Sequence, residues 1–453
     1  MIKKSISCLV MGNFYLTLFI YAILNGVAYA GPLAYITNFD QDSVYVIDTT
    51  TNTVISEIGV GRWPFGIAIT SDGSRAYVTN NLDNTVSVID IAQNKVIANI
   101  KVGNEPMGIV VTPDNAKVYV VNHDDSDINA SDVSVIDTST NSVIKKITVD
   151  YGPWGAAITP DGSKVYVTNN MANTVSVIDT TTNNVIKTIS VGNGPHGIVI
   201  SPDGTKAYVA NSGSASVSVI DINSNMVSAT IPVGNIPYGL AVTPDGYKVY
   251  VTNNADNTVS AIDTITDTVF YIIPVGSGPV GIAFTPDGST AYVVNNGDNS
   301  ISVIPLATNI VSTTIQVGKQ PIAFGNFIMG KPSLIINAHA QRNDKNEVTL
   351  TNPVNLEYEI KNSMPGDELF LILYAPQLGI NWSYLNSQAQ WIPLPNDLSQ
   401  VTPFGYTTAN GIFSLYKGDL PPGDYILYMG FDSNKNGFLD NSVVYDGITI
   451  HVQ

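Results

Sequence analysis

A short strand with tyrosine at its second position recurs seven times along this chain of 453 residues. Successive copies start 42 residues apart, except for one step of 47. The copies are AYITN from Ala34, AYVTN from Ala76, VYVVN from Val118, VYVTN from Val165, AYVAN from Ala207, VYVTN from Val249 and AYVVN from Ala291. A repeat of about 40–45 residues built from short strands is typical of a β-propeller blade, which must stack in a ring to bury its faces. The sequence therefore predicts an all-β fold with a seven-bladed propeller.

Each repeat contains four predicted strands. In the second copy these are Gly66–Thr70, Ala76–Thr79, Thr85–Ile89 and Val96–Ile100, from the axis outwards. Asp-Gly or Pro-Asp-Gly turns join the first two, because glycine accepts the positive φ of a tight hairpin. The first copy lacks the innermost strand, and a seventh copy of that strand occurs at 321–324. We expect this segment to complete the first blade and close the ring.

Residues that recur in the copies are interpreted as structural. The seven tyrosines are expected to pack between adjacent blades, with their hydroxyls at a polar rim. An aspartate follows the third strand in six copies, and Pro305 replaces it in the last. These aspartates are expected to bond the backbone amides of the turns that they begin.

The YVTN strand, the S-V-I-D-T-x-T-N segment and the V-G-x-x-P-x-G-I-A-x-T-P-D-G segment resemble the YVTN-family propeller repeat of YncE-like periplasmic proteins and archaeal surface-layer proteins. The resemblance covers about residues 31–330. It implies a seven-bladed propeller that is exported or displayed and has a binding or surface role. Relatives bind single-stranded DNA or carry haem, but this chain has no C-x-x-C-H motif and its acidic charge disfavours DNA.

The residue between Pro and Gly at the start of each innermost strand differs from copy to copy. These seven side chains are expected to converge at one mouth of the central channel as an apolar and aromatic collar. They are Phe65, Met107, Trp154, His196, Tyr238, Val280 and Ile322. Two interpretations stay open: a hydrophobic plug of the channel, or a binding site for a protein, peptide or glycan ligand. The Asn- and Asp-rich loops expected beside the collar would supply polar groups to a ligand, or are solvated turns.

No catalytic motif is found: the chain has no G-x-S-x-G, phosphate-binding loop or H-E-x-x-H sequence. We therefore expect a non-enzymatic binding or surface-interaction protein that uses the channel-mouth face. The alternative is a propeller hydrolase or lactonase with its site at that mouth. The third copy also has an insertion between His123 and Asp132, where four aspartates would offer oxygen ligands to Ca²⁺.

Residues 331–453 lack the repeat and are predicted to form a small antiparallel β-sandwich, from short alternating strands separated by turns. Within this region Asp432, Asn434, Asn436 and Asp440 match ligand positions of an EF-hand-type loop. Val443 stands where the bidentate Glu belongs, and Asn-Gly is also an ordinary hairpin turn. Calcium is therefore the one candidate cofactor, and no other is expected.

Residues 1–30 are predicted to be an export signal: Lys3 and Lys4 precede an apolar run that ends at Ala28-Tyr29-Ala30. The alternative is an uncleaved membrane anchor. Cleavage would leave a periplasmic, extracellular or cell-surface protein with no membrane span and no cysteine, since Cys8 is the single cysteine. The net charge of −17 disfavours nucleic acid and anionic lipid as partners. A monomer is expected.

Overall fold

The propeller consists of seven four-stranded antiparallel sheets in this computed structural model. The structure describes residues 32–91, 93–124 and 131–329, followed by the backbone of ten strands between residues 333 and 452. The described propeller residues lie in one compact unit, Ala30–Gly330. Among the described residues, Phe39–Gln41 forms the single helical element, a 3-10 turn. No helix in these ranges has the length and hydropathy needed to span a membrane.

Blades are numbered here by the order of their tyrosine strands. The innermost strands of blades 2 to 7 are Pro64–Ile69, Pro106–Val111, Pro153–Ile158, Pro195–Ile200, Pro237–Val242 and Pro279–Phe284, and Ile328–Met329 serves blade 1. The second strands of blades 1 to 7 are Leu33–Asn38, Arg75–Asn80, Lys117–Asn122, Lys164–Asn169, Lys206–Asn211, Lys248–Asn253 and Thr290–Asn295. The predicted all-β class and the seven blades are confirmed.

The two outer strands of each blade continue the same order. The third strands are Ser43–Asp48, Thr85–Asp90, Asp132–Asp137, Thr174–Asp179, Ser216–Asp221, Thr258–Asp263 and Ser300–Pro305. The fourth strands are Thr53–Gly59, Lys95–Lys101, Ser142–Thr148, Asn184–Ser190, Met226–Pro232, Thr268–Pro274 and Thr313–Gln316. Second and third strands are buried almost throughout because both of their faces pack on neighbouring blades, whereas fourth strands expose most residues.

The repeated tyrosine joins each blade to the next, as predicted. All seven rings are buried, and five hydroxyls contact an asparagine in the turn between the third and fourth strands of the following blade. Tyr166 Oη donates to Asn225 Oδ1 at 2.8 Å. Tyr292 Oη donates to Asn52 Oδ1 at 2.6 Å and so links blade 7 to blade 1.

The threonine of the YVTN strand makes a second bond between blades. Thr168 Oγ1 accepts the Gly155 amide at 2.8 Å within its own blade and donates to the His196 carbonyl of the next blade at 2.6 Å. The glycine is needed because a Cβ at Gly155 would lie 2.6 Å from that carbonyl oxygen. Innermost strands therefore approach one another closely around the axis.

The last propeller segment completes blade 1, as predicted, but with an irregular path. Pro321 pairs with Asn38, the Ile322 amide donates to the Thr37 carbonyl at 2.9 Å, and Ile328 pairs with Ala34. The other blades need fewer residues between the same two pairs. In blade 2, Pro64 pairs with Asn80 and Ile69 pairs with Ala76, so the innermost strand advances five positions where its neighbour advances four. Blade 1 thus has two extra residues here, and Ala323 and Gly325 take positive φ of 43° and 119°.

The repeated aspartates after the third strand stabilise turns, as predicted. Asp48 Oδ1 accepts the Thr50 amide at 2.8 Å, and Asp179 Oδ1 accepts the Thr182 amide at 2.7 Å. Bonds from backbone and hydroxyl donors hold the pKa of the Asp179 carboxyl below its usual value. These carboxylates therefore accept hydrogen bonds within the turns that they begin.

The C-terminal strands form two sheets. Their bounds are Ser333–Ala338, Glu347–Leu350, Val354–Lys361, Glu368–Ala375, Ile380–Leu385, Trp391–Pro393, Gly405–Tyr406, Gly411–Gly418, Gly423–Asp432 and Val444–Val452. Pairing is antiparallel except that Glu347–Leu350 runs parallel to the last strand, a departure from the predicted antiparallel order. The sandwich itself and the domain boundaries at residues 30 and 330 stay predictions.

The closing segment should carry a large share of the stability, because Phe327 is fully buried in the core between blades 7, 1 and 2. Replacing Phe327 by Ala should lower the free energy of unfolding by about 3–5 kcal/mol, the usual cost of removing a buried phenyl ring. Urea denaturation measures this change. Ile144→Ala, at a side chain that is 51% exposed, is the control and should change stability by less than about 1 kcal/mol. Equal effects of the two substitutions would contradict the closure.

Candidate functional site

One face of the propeller carries the collar and two sets of loops. In blades 2 to 7 each collar residue follows the proline that begins an innermost strand, and in blade 2 this proline, Pro64, pairs with Asn80 at the end of the second strand. In blade 1 the collar residue Ile322 follows Pro321, which pairs with Asn38 in the same way. The loops after the second strands, and the loops that enter the innermost strands, therefore lie at the same end of every blade. We call this end the collar face.

The collar side chains do converge around the axis. Trp154 is the centre of the cluster: its ring lies 4.7 Å from that of His196, 6.0 Å from that of Phe65 and 6.2 Å from that of Tyr238. Met107 and Ile322 pack in the same cluster. Val280 is the exception, because it packs in the core between blades 7 and 1, with Tyr238 against it.

His196 supplies the imidazole of the collar. Its ring lies between those of Trp154 and Tyr238, and its Nδ1 is buried without a hydrogen-bond partner. Burial, assisted by the nearby His123, lowers the pKa of His196 to about 4. The imidazole is therefore neutral at pH 7. Burial also raises the pKa of the Tyr238 phenol.

The Trp154 indole nitrogen is a second buried polar atom in the collar, and it is a donor. It has no hydrogen bond of ordinary geometry. Its N–H nevertheless lies near the Tyr238 hydroxyl and acts to lower the pKa of that phenol, an effect smaller than the rise caused by burial. A buried donor without a partner costs about 1–3 kcal/mol. The collar therefore offers polar groups that only a water molecule or a rearranged collar would satisfy.

Phe324 closes the axis beside the collar. The two extra residues of blade 1 carry its backbone across to blade 2, where the Phe324 carbonyl accepts the Ile67 amide at 3.0 Å. Its ring lies 5.8 Å from Tyr238 and 6.0 Å from Phe65. The axial cavity that Phe324 lines with the innermost glycines has a volume of about 30 Å³, enough for about one water. The plug interpretation therefore fits the channel interior.

The polar loops of the collar face bond mainly to one another. Asn84 Oδ1 accepts the Glu105 amide at 2.9 Å, and Asn173 Oδ1 accepts the Gly194 amide at 2.8 Å. Asp83 accepts the backbone and side-chain nitrogens of Arg62 at 2.7 and 2.6 Å. Loop side chains of this kind stabilise turns, which favours the structural interpretation of the Asn- and Asp-rich segments.

Apolar side chains stand out from this face at strained positions. The residue before each collar proline has a left-handed φ between 49° and 67° in all seven blades. Three of these residues are glycine, but Trp63 and Ile236 are 40% and 45% exposed. The Trp63 ring stacks on Phe39 with centroids 5.1 Å apart. Left-handed φ at a β-branched or aromatic residue costs about 1–2 kcal/mol.

The two metal predictions remain open. The side chains of Asp432, Asn434, Asn436 and Asp440, and residues 125–130 of the inserted loop, lie outside the described residues. Elsewhere in the described ranges, no group of three or more His, Cys, Asp or Glu side chains is placed to hold a metal. Calcium at either loop therefore stays a prediction.

Sequence reasoning did not find Phe324, Trp63 or Ile236. Blade 1 reads Pro-Ile-Ala-Phe where the other blades read Pro-x-Gly, and this missing glycine was the available signal for an altered strand. For Trp63 and Ile236 the signal was glycine at the matching positions Gly152 and Gly194. Both signals become informative once the innermost strands are aligned blade by blade.

Comparisons with known proteins agree with this architecture. A chain of Kuenenia stuttgartiensis hydrazine synthase is 26% identical with a TM-score of 0.56, over 60% of this chain and 92% of that chain. A functionally unknown protein from Desulfotomaculum acetoxidans DSM 771 has the same fold at 20% identity and a TM-score of 0.56, over 65% of this chain and 99% of that chain. No curated protein matches this chain. The family model for the YNCE-like beta-propeller matches residues 112–244, a segment that lies within the seven-bladed propeller.

Proposed function

We propose that this protein is an exported, non-catalytic binding module that uses the collar face to hold a protein or peptide partner. The observation that carries the proposal is the exposure of Trp63 and Ile236 at left-handed positions. Glycine relieves the strain at this position in three blades. Strained residues cluster at ligand-binding sites, where their conformation serves binding rather than stability.

The chemistry of the face favours a polypeptide over a glycan. Leu82 and Met171, which are also exposed, add apolar surface in the loops of blades 2 and 4. Many of the loop carboxylates and amides that would hydrogen-bond sugar hydroxyls are already engaged, as with Asp83 on Arg62 and Asp256 on Asn235. Exposed aromatic and aliphatic side chains on a rigid base are typical of protein interfaces.

The geometry of the collar argues for binding without catalysis. A general base must come within hydrogen-bond distance of the proton that it removes. His196 is the collar group closest to this role, but its Nδ1 is buried and its ring is packed between Trp154 and Tyr238. The collar therefore serves best as a rigid support for the exposed residues around it.

Export is part of the proposal on the strength of the sequence. The Lys3-Lys4 start, the apolar run and the Ala28-Tyr29-Ala30 site together make an export signal. A fold without cysteine in its mature form is suited to oxidising compartments, because no thiol is exposed to modification there.

Binding at the collar face is tested with Trp63→Gly/Ile236→Gly. Glycine relieves the left-handed strain, so the variant should fold with at least normal stability while losing its apolar contacts. A phage-displayed peptide library, panned on wild-type protein, supplies the probe peptides. We expect the selected peptides to bind the variant at least tenfold more weakly, measured by calorimetry.

The matched control is Ile186→Gly/Met226→Gly, which removes two apolar side chains, 51% and 63% exposed, from outer strands away from the collar face. Selected peptides should bind this variant as they bind wild type. Panning that yields no peptide, or peptides that lose affinity equally in both variants, would contradict the proposed site.

The neutral state of His196 makes stability depend on pH. An unfolded chain takes up a proton at this residue near pH 6.5, whereas the folded protein does so only near pH 4. The contribution is therefore fully present above pH 6.5 and is lost as pH falls towards 4. Wild type should lose about 3 kcal/mol more than His196→Phe across this interval. Urea denaturation at both ends measures the difference, and parallel losses in the two proteins would contradict it.

A further inference from the structure

Blade 6 differs from the other blades at its outer edge. Four positions that hold small, polar or charged residues elsewhere are large and apolar in this blade: Tyr247, Ile265, Tyr271 and Ile272. At the position of Ile272 the other blades have Glu57, Asn99, Lys146, Thr188, Thr230 and Thr314. Together with Phe270, these side chains are between 43% and 76% exposed.

The five residues lie on the fourth strand of blade 6 and in the two turns beside it, and we call them the blade 6 patch. Phe270, Tyr271 and Ile272 are consecutive on the fourth strand, Thr268–Pro274. Ile265 lies in the turn before this strand, and the Thr264 amide beside it donates to the Tyr247 carbonyl at 3.1 Å. Lys248 Nζ lies 5.6 Å from the centre of the Phe270 ring. The patch therefore joins an outer strand to the adjacent turns.

The fourth strand of each blade is the free edge of its sheet. Free edges have unpaired backbone N–H and C=O groups that can pair with another strand, and proteins usually protect them with charges. Blade 3 has Lys145 and Lys146 at the positions of Tyr271 and Ile272. The strand Thr268–Pro274 contains no charged residue. Its chemistry thus favours a second β-strand as the occupant.

We propose that two copies of this chain associate through the blade 6 patch, with their Thr268–Pro274 strands paired antiparallel about a two-fold axis. Pairing centred on Tyr271 sets Phe270 of each copy opposite Ile272 of the other, an aromatic-aliphatic pair of the kind that stabilises sheets. A two-fold interface must be complementary to itself, and an uncharged strand brings no like charges together. In the same arrangement blade 2 would bring Lys95 opposite Lys101, and blades 3 and 4 would bring Lys145 or Lys187 opposite its own copy.

This association replaces the monomer expected from the sequence and is independent of the collar face. Each copy carries a net charge of −17, so the two copies repel at a distance. Salt screens this repulsion but leaves apolar contact and strand pairing largely intact. The dimer should therefore become stronger, not weaker, as sodium chloride is added.

The test is sedimentation velocity on the full chain over a wide concentration range, at low and high sodium chloride. Wild type should shift from monomer towards dimer as the protein concentration rises. In high salt this shift should occur at a lower protein concentration. Tyr271→Lys/Ile272→Lys should remain a monomer throughout. This variant should fold, because blade 3 already has two lysines in the same register.

The matched control is Thr313→Lys/Thr314→Lys, which places the same two charges at the same register of blade 7 and should dimerise like wild type. Tyr247→Ser/Ile265→Asn, with residues found at these positions in blades 2 and 5, adds no charge and should weaken the dimer at least tenfold. A wild-type monomer at all concentrations, or equal loss in the blade 6 and blade 7 lysine variants, would overturn the proposal.

Discussion

The propeller depends on a non-covalent join, the seam, between its first tyrosine strand and its last segment. In blade 1 the strand Leu33–Asn38 pairs with residues that follow it by almost 300 positions, through Pro321 and Ile328. The Tyr292 hydroxyl adds a bond to Asn52 across the same boundary. Blades cannot bury their faces alone, so every blade relies on this closure. The seam also determines what fills the axis, because its two extra residues carry Phe324 into the channel.

Residues that recur in the blades use their polar groups for hydrogen bonds that hold the ring together. Tyrosine hydroxyls bond to the next blade, threonines such as Thr168 bridge innermost strands, and aspartates such as Asp48 bond their turns. Residues that change between blades are free for other tasks. They produce the exposed Trp63 and Ile236 on the collar face and the apolar outer edge of blade 6. Two surfaces with different chemistry thus arise on one repeated scaffold.

The sequence predicted the blades, the collar and the closing segment, because each depends on spacing that repeats. Strand bounds agreed within two residues in blade 2, where Pro64–Ile69 was predicted to begin at Gly66. Phe324 was missed because its position depends on where two extra residues go, and no other blade has a comparable path. The strain at Ile236 was missed because backbone φ is set by the loop, which a hydrophobic pattern does not reveal. Val280 was placed in the collar from its spacing, yet packing draws it into the core between blades.

Hydrogen exchange at the seam tests the central claim most directly, since it asks whether the ring opens where its ends meet. The Ala323 amide donates to Thr37 Oγ1 at 2.7 Å, and the matching bond inside blade 4 joins the Gly155 amide to Thr168 Oγ1 at 2.8 Å. If closure holds the propeller together, both amides exchange only on global unfolding and give the same free energy of exchange. Faster exchange at Ala323, with Gly155 still protected, would show that the seam opens alone and that the ring does not depend on it.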